Sequence, residues 1–303
     1  MREMIKLKHK KIMWGNTFIV ISFFLFSLLF IIPFLYVISA SLTEESVLLE
    51  QGFKLIPTKI DFSAYKAAFI NPTQIMQAYG VTIFTSFLGT FLATFVMALC
   101  AYPLSRKNYA LGKVTTFIIF FTMLFSGGLI PSYIINTQML GLYDNVWVYI
   151  FPGLVNAFQI IVFRTFFQGL PESLPESAKI DGASELRIFF QIILPLSKPV
   201  VATIALLQLL DKWNNWFTSL IYIKNEDLFT LQYLLQKILR DAEFMKNMMM
   251  MGGQQGVDFN TFAMPTESLK FALCIIATGP MLFLFPFFQK YFSKGLTVGA
   301  VKG

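Results

Sequence analysis

The chain has 303 residues, of which 56% are hydrophobic, 17% aromatic and only 14% charged, with 35 Phe and a mean hydropathy of +0.64. Soluble domains average roughly 25% charged residues and could not hide so many Phe in one core, so the composition argues against a soluble enzyme and points to lipid as the main solvent. The formal charge of +7 is then read as a membrane-topology signal before it is read as a nucleic-acid footprint, and no nucleic-acid partner is expected.

The predicted elements follow in chain order. Residues 1–16 form a basic tail with Lys6, Lys8, Lys10 and Lys11, and the uncharged run 17–38 is the first candidate span. A helix needs roughly 20 apolar residues to cross the hydrocarbon. Ser39-Ala40-Ser41 resembles a small-residue cleavage site, but 22 uncharged residues exceed a signal-peptide core of about 7–15, so an uncleaved first helix is expected. Residues 39–78, with Pro57, Asp61, Asn71 and Pro72, predict a loop carrying one short surface helix. The second span is 79–104. The third run, 114–143, is too long for one helix and is interrupted by Gly127-Gly128 and Pro131. It predicts helix to about Phe125 and then irregular backbone, which is tolerated at that depth only inside protein or against water. The fourth span is 145–163. The fifth, 199–223, is apolar for twelve residues and then carries Asp211, Lys212, Asn214 and Asn215.

Within 224–270 the spacing of Leu231, Leu234, Leu235, Ile238 and Leu239 predicts a surface helix over 228–245. Four consecutive Met (Met248 to Met251) and a Gly/Gln stretch after them read as a flexible, partner-ordered loop. Thioether sulfur suits Cu(I), but no His or Cys lies near and adjacent residues do not all point at one ion, so no metal is assigned. The sixth span is 271–289, followed by a small, cationic tail, 294–303.

The resulting class is an all-α polytopic membrane protein: a six-helix body over 17–293 between two short tails. With six spans, one side of the membrane holds 15 Lys and Arg and the other 8, while acidic residues divide 5 against 11. The positive-inside rule places both termini in the cytoplasm. Loop 164–198 is then cytoplasmic, and 39–78 and 224–270 lie outside. Cys100 and Cys274 fall in opposite leaflets and cannot pair. The only His is His9, in the tail, and no G-x-x-x-x-G-K-[ST] run is present, so metal hydrolysis, Ser-His chemistry and nucleotide binding by this chain have no candidate residues.

The most informative segment is the cytoplasmic loop. Pro171-Glu172-Ser173-Leu174-Pro175-Glu176-Ser177-Ala178-Lys179-Ile180-Asp181-Gly182-Ala183 starts as a helix should, with Pro175 at a first helical position and Glu172 and Glu176 at the positive end of the dipole. Gly182 suits a helix end or sharp turn. A second helix over 184–193 is expected to stop before Pro195. Glu176 and Asp181 offer charged hydrogen bonds to a partner, Leu174, Ile180 and Ala183 offer apolar filling, and Ser177, Ala178 and Ala183 are small enough for close approach. The plain alternative is a solvated loop whose carboxylates only cap helices.

This loop resembles that of the membrane permease subunits of bacterial ATP-binding-cassette importers, which reads EAA, then G, then I-x-L-P. Glu176, Ala178, Gly182, Ile192, Leu194 and Pro195 fall on the pattern, with Ser177 at the usual second Ala. Asp181-Gly182-Ala183 and Leu194-Pro195-Leu196 resemble the carbohydrate, maltose-type branch. The stretches Phe125-Ser126-Gly127-Gly128-Leu129-Ile130-Pro131, Trp213-Asn214-Asn215-Trp216-Phe217 and the C-terminal run from Gln289 to Gly303 resemble permeases for oligosaccharides derived from complex polysaccharides.

The resemblance implies a type I importer permease fold in a bacterial plasma membrane. It implies a homologous second permease, two ATPase subunits that carry ATP and Mg, and an extracellular binding protein, with no cofactor in this chain. The coupling residues it implies are Glu176, Ser177, Ala178, Asp181, Gly182, Ala183, Leu194 and Pro195. The tail residues Lys294, Gly295, Gly299 and Lys302 would reach the ATPase pair, although their composition alone reads as a frayed end. Sugar needs aromatic faces and amide or carboxylate groups, and Gln208, Asp211, Trp213, Asn214 and Asn215, with Tyr133 and Asn136, are the substrate-path candidates. Intramembrane ionisable residues are functional candidates by default, while Asp211 and Lys212 near an interface can also snorkel or pair. A charged solute such as polyamine, phosphate or an amino acid is the nearest rival cargo, and an intramembrane enzyme or a channel the remoter alternative.

Overall fold

The computed structural model describes residues 2–251 and 266–300, which are helical with no strand among them; the only extended pairing is an isolated bridge between Thr43 and Ile60. The helices divide into two units, one of residues 1–70 and 238–278, the other of 71–237 and 279–303.

In the first unit α1 (Arg2–Ser41) runs through Pro33, longer than the uncharged run that predicted it, and its side chains from Phe18 to Phe30 are largely exposed apolar groups, as suits hydrocarbon. Two short helices follow, α2 (Glu45–Gln51) and α3 (Ser63–Ala68), where one was expected. Ser39 Oγ donates to the Lys54 carbonyl at 2.7 Å and the Ser41 and Tyr65 hydroxyls meet at 2.9 Å, which folds this segment against the end of α1. Glu45 accepts from the backbone N–H of Thr266, Glu267 and Ser268 at 3.1, 2.9 and 2.8 Å. These are orphan donors of the last helix, so the carboxylate caps its positive end.

The second unit is built on α4 (Pro72–Ser105), whose first turn holds Pro72 where a missing N–H costs nothing. Its buried face is made of small residues, among them Gly89, Ala93, Ala98 and Ala101. Close approach over such a face drives helix packing in lipid, and α7 (Ala157–Gln168) and α11 (Lys198–Trp213) pack there. Met97, Tyr102, Ile160, Phe163, Phe167, Phe189 and Ile204 complete the core.

The third predicted run is α5 (Gly112–Leu124), a break at 125–128, then α6 (Leu129–Ile134) and a π turn, Ile135–Met139, bent 113° from α5. The break falls where Gly127 and Gly128 predicted it; the sharply turned second helix was not foreseen. The run 145–163 is not one helix. It is a 3-10 turn (Val146–Tyr149), irregular backbone at 150–156, and then α7. The Asn145 and Asn156 side chains cap the two helical pieces by accepting from Trp147 N and Gln159 N, and these start signals outweigh the uniform hydrophobicity that suggested a single span.

The loop 164–198 contains α8 (Ser173–Ile180), α9 (Glu185–Ile188), a π turn (Phe189–Ile193) and α10 (Leu194–Leu196), and the chain then bends 81° at Ser197 into α11. Pro195 therefore does not end the second helix. The π turn moves the Leu194 N–H to the Phe189 carbonyl, and this wider bonding accommodates a proline that would disrupt a regular α ladder. After α11 the chain opens at Asn214, Asn215 and Trp216 before α12 (Phe217–Tyr222).

The predicted surface helix is α13 (Leu231–Met251), which continues through the Met run; the Gly/Gln stretch lies outside the described residues. The last helix, α14 (Glu267–Ala300), carries Pro280 and Pro286 and extends past the predicted sixth span. Among the described residues three helical stretches are long and apolar enough to cross a membrane, at Asn16–Ser41, Pro72–Ser105 and Glu267–Gln289, and up to five if each bent pair counts as one.

Candidate functional site

Two regions gather the residues singled out in the sequence. The first is the loop around α8. Gly182, with φ of 78°, lies in the left-handed region that glycine enters without a Cβ penalty. Its N–H bonds the Lys179 carbonyl at 3.0 Å and the Ala183 N–H bonds the Ala178 carbonyl at 2.9 Å, which together are a Schellman ending. The turn pulls Ala178 and Ala183 inward, where both pack half-buried against the core, as does Leu194. The outward face presents Glu176, Ser177, Asp181 and Pro195, all exposed, with Leu174, Leu186 and Ile180, the last 87% exposed. The Ser177 hydroxyl donates back to the Ser173 carbonyl at 2.7 Å.

The loop is tied to α4 by groups that local sequence patterns did not reveal. Tyr102 Oη donates to Glu185 Oε2 at 2.6 Å and accepts from Arg106 Nη2 at 2.9 Å. Lys179 pairs with Glu185 at 2.5 Å, and the exposed Lys107 with Glu172 at 2.8 Å. Hydrogen bonds from Lys179 and then Tyr102 hold the Glu185 carboxyl below its usual range. Arg164 Nε donates to the Leu104 carbonyl at 2.9 Å. A recess lined by Arg106, Lys107, Glu172, Glu176 and Lys179 lies between α4 and α8. Short charge-assisted bonds thus join the α8–α9 loop to α4 through Glu185 and Tyr102.

The second region surrounds the end of α11. Asp211, Asn214, Asn215 and Trp216 line one open recess with Leu210, Phe217 and Thr218. Asn214 Nδ2 donates to the Leu210 carbonyl, Asn214 Oδ1 accepts from Gln232 Nε2 at 3.3 Å and Asn215 Oδ1 accepts from Thr218 N, so these amides shape the break between α11 and α12. The remaining candidates are held inside the unit. Gln208 is 4% exposed and donates to Gln159 Oε1 at 2.7 Å, and Trp213 is 1% exposed. Asn136 is buried and donates to Tyr222 Oη at 3.1 Å, while Tyr133 stacks on Tyr222 with centroids 5.6 Å apart. Of the tail candidates, Lys294, Gly295 and Gly299 lie on the backbone of α14 and Lys302 is outside the described residues.

Among the described residues no group of His, Cys, Asp and Glu could hold a metal ion.

The chain belongs to the family described as binding-protein-dependent transport system inner membrane component, whose model matches residues 82–298. It is thus a membrane-embedded transport subunit of an ATP-binding-cassette importer, as the loop motif led one to expect. It is 39% identical to the protein LplC of Bacillus subtilis (strain 168), over 90% of each chain. It is 38% identical to the polygalacturonan/rhamnogalacturonan transport system permease protein YtcP of the same organism, covering 92% of this chain and 95% of that one. Among solved structures it resembles a chain of a bacterial ABC transporter involved in the import of the acidic polysaccharide alginate, with a TM-score of 0.75, 29% identity, and coverage of 91% and 96%.

Proposed function

We propose that this chain is one permease of an ATP-driven oligosaccharide importer, and that loop 164–198 is its cytoplasmic docking element for a separate ATPase. The carrying observation is the loop itself: a short helix closed by a Gly182 turn, with Leu174, Ile180 and Leu186 exposed beside Glu176 and Asp181. Solvent alone gives no reason to keep three large apolar residues exposed around a rigid turn, and a partner cleft does. The sugar cargo is supported by the relatives, one named for polygalacturonan/rhamnogalacturonan transport and, among solved structures, one involved in the import of alginate.

In this reading six spans place both termini in the cytoplasm, with α7 and the irregular backbone before it forming the fourth and α11 and α12 the fifth. A homologous permease completes the path, two ATPase subunits bind ATP and Mg, and an external binding protein delivers the sugar to the outer loops. Asp211, Asn214, Asn215 and Trp216 meet sugar hydroxyls and faces, and the end of α14 approaches the ATPase pair.

The test is ATP-dependent oligosaccharide uptake by the reconstituted complex. Gly182→Asp forces a side chain onto a left-handed backbone, and Ile180→Asp places a charge on the exposed face without touching the fold. Loss of uptake in both, with membrane insertion and capture by the binding protein intact, is expected. Unchanged uptake in Ile180→Asp overturns the docking assignment.

A further inference from the structure

Lys212 is the one buried side chain of α11 whose charge the fold leaves unanswered. It is 6% exposed, and among the described residues it makes no ion pair. Its Nζ donates only to the Tyr149 carbonyl, at 3.4 Å. The charge that acts on it is that of its chain neighbour Asp211, an exposed residue whose side chain leaves the helix about 100° away. An unpaired cation away from water costs several kcal/mol, so a fold that keeps one has a use for it.

The surroundings are shaped for this side chain. A Cβ on Gly89 would stand 2.9 Å from Lys212 Cδ and Cε, and a Cβ on Gly153 would stand 3.0 Å from Nζ. Both glycines leave the slot that the lysine fills. On α4 the Ser86, Thr90 and Thr94 hydroxyls are buried and have no hydrogen-bond partner among the described residues. They recur one turn apart on the buried side of α4, the helix against which α7 and α11 both pack. One turn before Lys212, Gln208 is paired with Gln159. A cation, three hydroxyls and an amide pair are thus buried among the otherwise apolar helices α4, α7 and α11. Each unmade bond costs about 1–3 kcal/mol, an expense removed when a ligand rich in hydroxyls and bearing an anion enters.

We propose that Lys212 is the charge-selecting residue of the path, meeting the carboxylate of a uronate-bearing oligosaccharide, with Ser86, Thr90 and Thr94 receiving its hydroxyls as α4 and α11 part. The proposal rests on the sugar-import reading and narrows it to acidic saccharides. A carboxylate of a neighbouring subunit would also neutralise the lysine, but it would leave the three hydroxyls unused; a sugar acid satisfies both.

Uptake by the complete transporter is measured with a galacturonate trimer and with its methyl-esterified form, which differ in charge, for wild type, Lys212→Gln, Lys212→Arg and Gly153→Ala. The ratio of acid to ester uptake is expected to fall about tenfold or more in Lys212→Gln and to recover in part in Lys212→Arg. In Gly153→Ala, which keeps the charge but presses on the ammonium, the ratio is expected to fall less. An unchanged ratio in Lys212→Gln overturns the proposal and puts charge selection in the binding protein. Failure of Lys212→Gln to insert, with an unchanged ratio in Gly153→Ala, overturns it too and leaves Lys212 a packing residue. A wild type that carries only the ester, or that carries neither form but takes up a neutral oligosaccharide, contradicts this proposal alone, whereas one that carries no oligosaccharide contradicts the sugar-import reading as well.

Discussion

Glu45 accepts five hydrogen bonds from Thr266, Glu267 and Ser268, three of them from backbone N–H. Burial works to raise its pKa, but these bonds outweigh it and the carboxyl sits below the usual glutamate value. Because the folded value is depressed, the cap contributes in full above the ordinary value of about 4.3 and is lost as pH falls through the lower folded value. Glu45→Gln is expected to cost about 1 kcal/mol at neutral pH, read as a lower thermal unfolding midpoint in detergent, and the gap from wild type should close on acidification. Gly182→Ala is a second residue-scale test: the forced left-handed conformation costs about 1–2 kcal/mol and loosens α8 without adding charge. Partial uptake is expected, between wild type and Gly182→Asp. Gly182 was legible as a turn because glycine after Asp181 at a helix end has few other uses. Glu45 was not, since its donors lie more than two hundred positions away and no local pattern joins them.

At the scale of elements, the Tyr102 to Glu185 bond joins α4 to loop 164–198. Tyr102→Phe removes one hydroxyl from a tilted packing on Phe189 and leaves the core volume in place. The expected outcome is ATP hydrolysis that proceeds while sugar uptake per ATP falls several-fold, measured in proteoliposomes as the ratio of the two rates. A merely structural role would lower both together. Legibility here followed signal type. The break at Gly127 and Gly128, the helix from Leu231 and the α8 turn were readable from punctuation and periodicity. The division of 145–163 was missed because the count of uncharged residues ignored Asn145 and Asn156, which are start signals of helices. Ser86, Thr90 and Thr94 were not singled out in the sequence, because hydroxyls on an apolar helix carry no local mark and their unpartnered burial is a property of packing. Pro195 misled because proline ends a helix only when the ladder cannot widen around it.

For the whole molecule, the inferred topology predicts side-specific labelling. With Cys100 and Cys274 replaced by Ala, a Cys at Ser177 should react with an impermeant maleimide only from the cytoplasmic side and a Cys at Asp227 only from outside; reaction of both from one side removes the six-span arrangement. The class of the chain was legible from hydropathy and one loop motif, whereas the division of 145–163 and the bends of 113° after α5 and 81° before α11 were not, because composition reports which residues prefer lipid and not where the backbone turns. The π turn at Phe189–Ile193 carries a last consequence. Such a turn holds one residue more than the α-helix it interrupts, so deleting a single residue within it would restore a regular helix while swinging everything before it by about 100° around the axis. Leu174, Ile180 and Glu176 would then point at a different partner surface with every one of their own atoms unchanged. The aim of the whole loop is set by counting, and an insertion or deletion of one residue there is equivalent to redirecting the subunit.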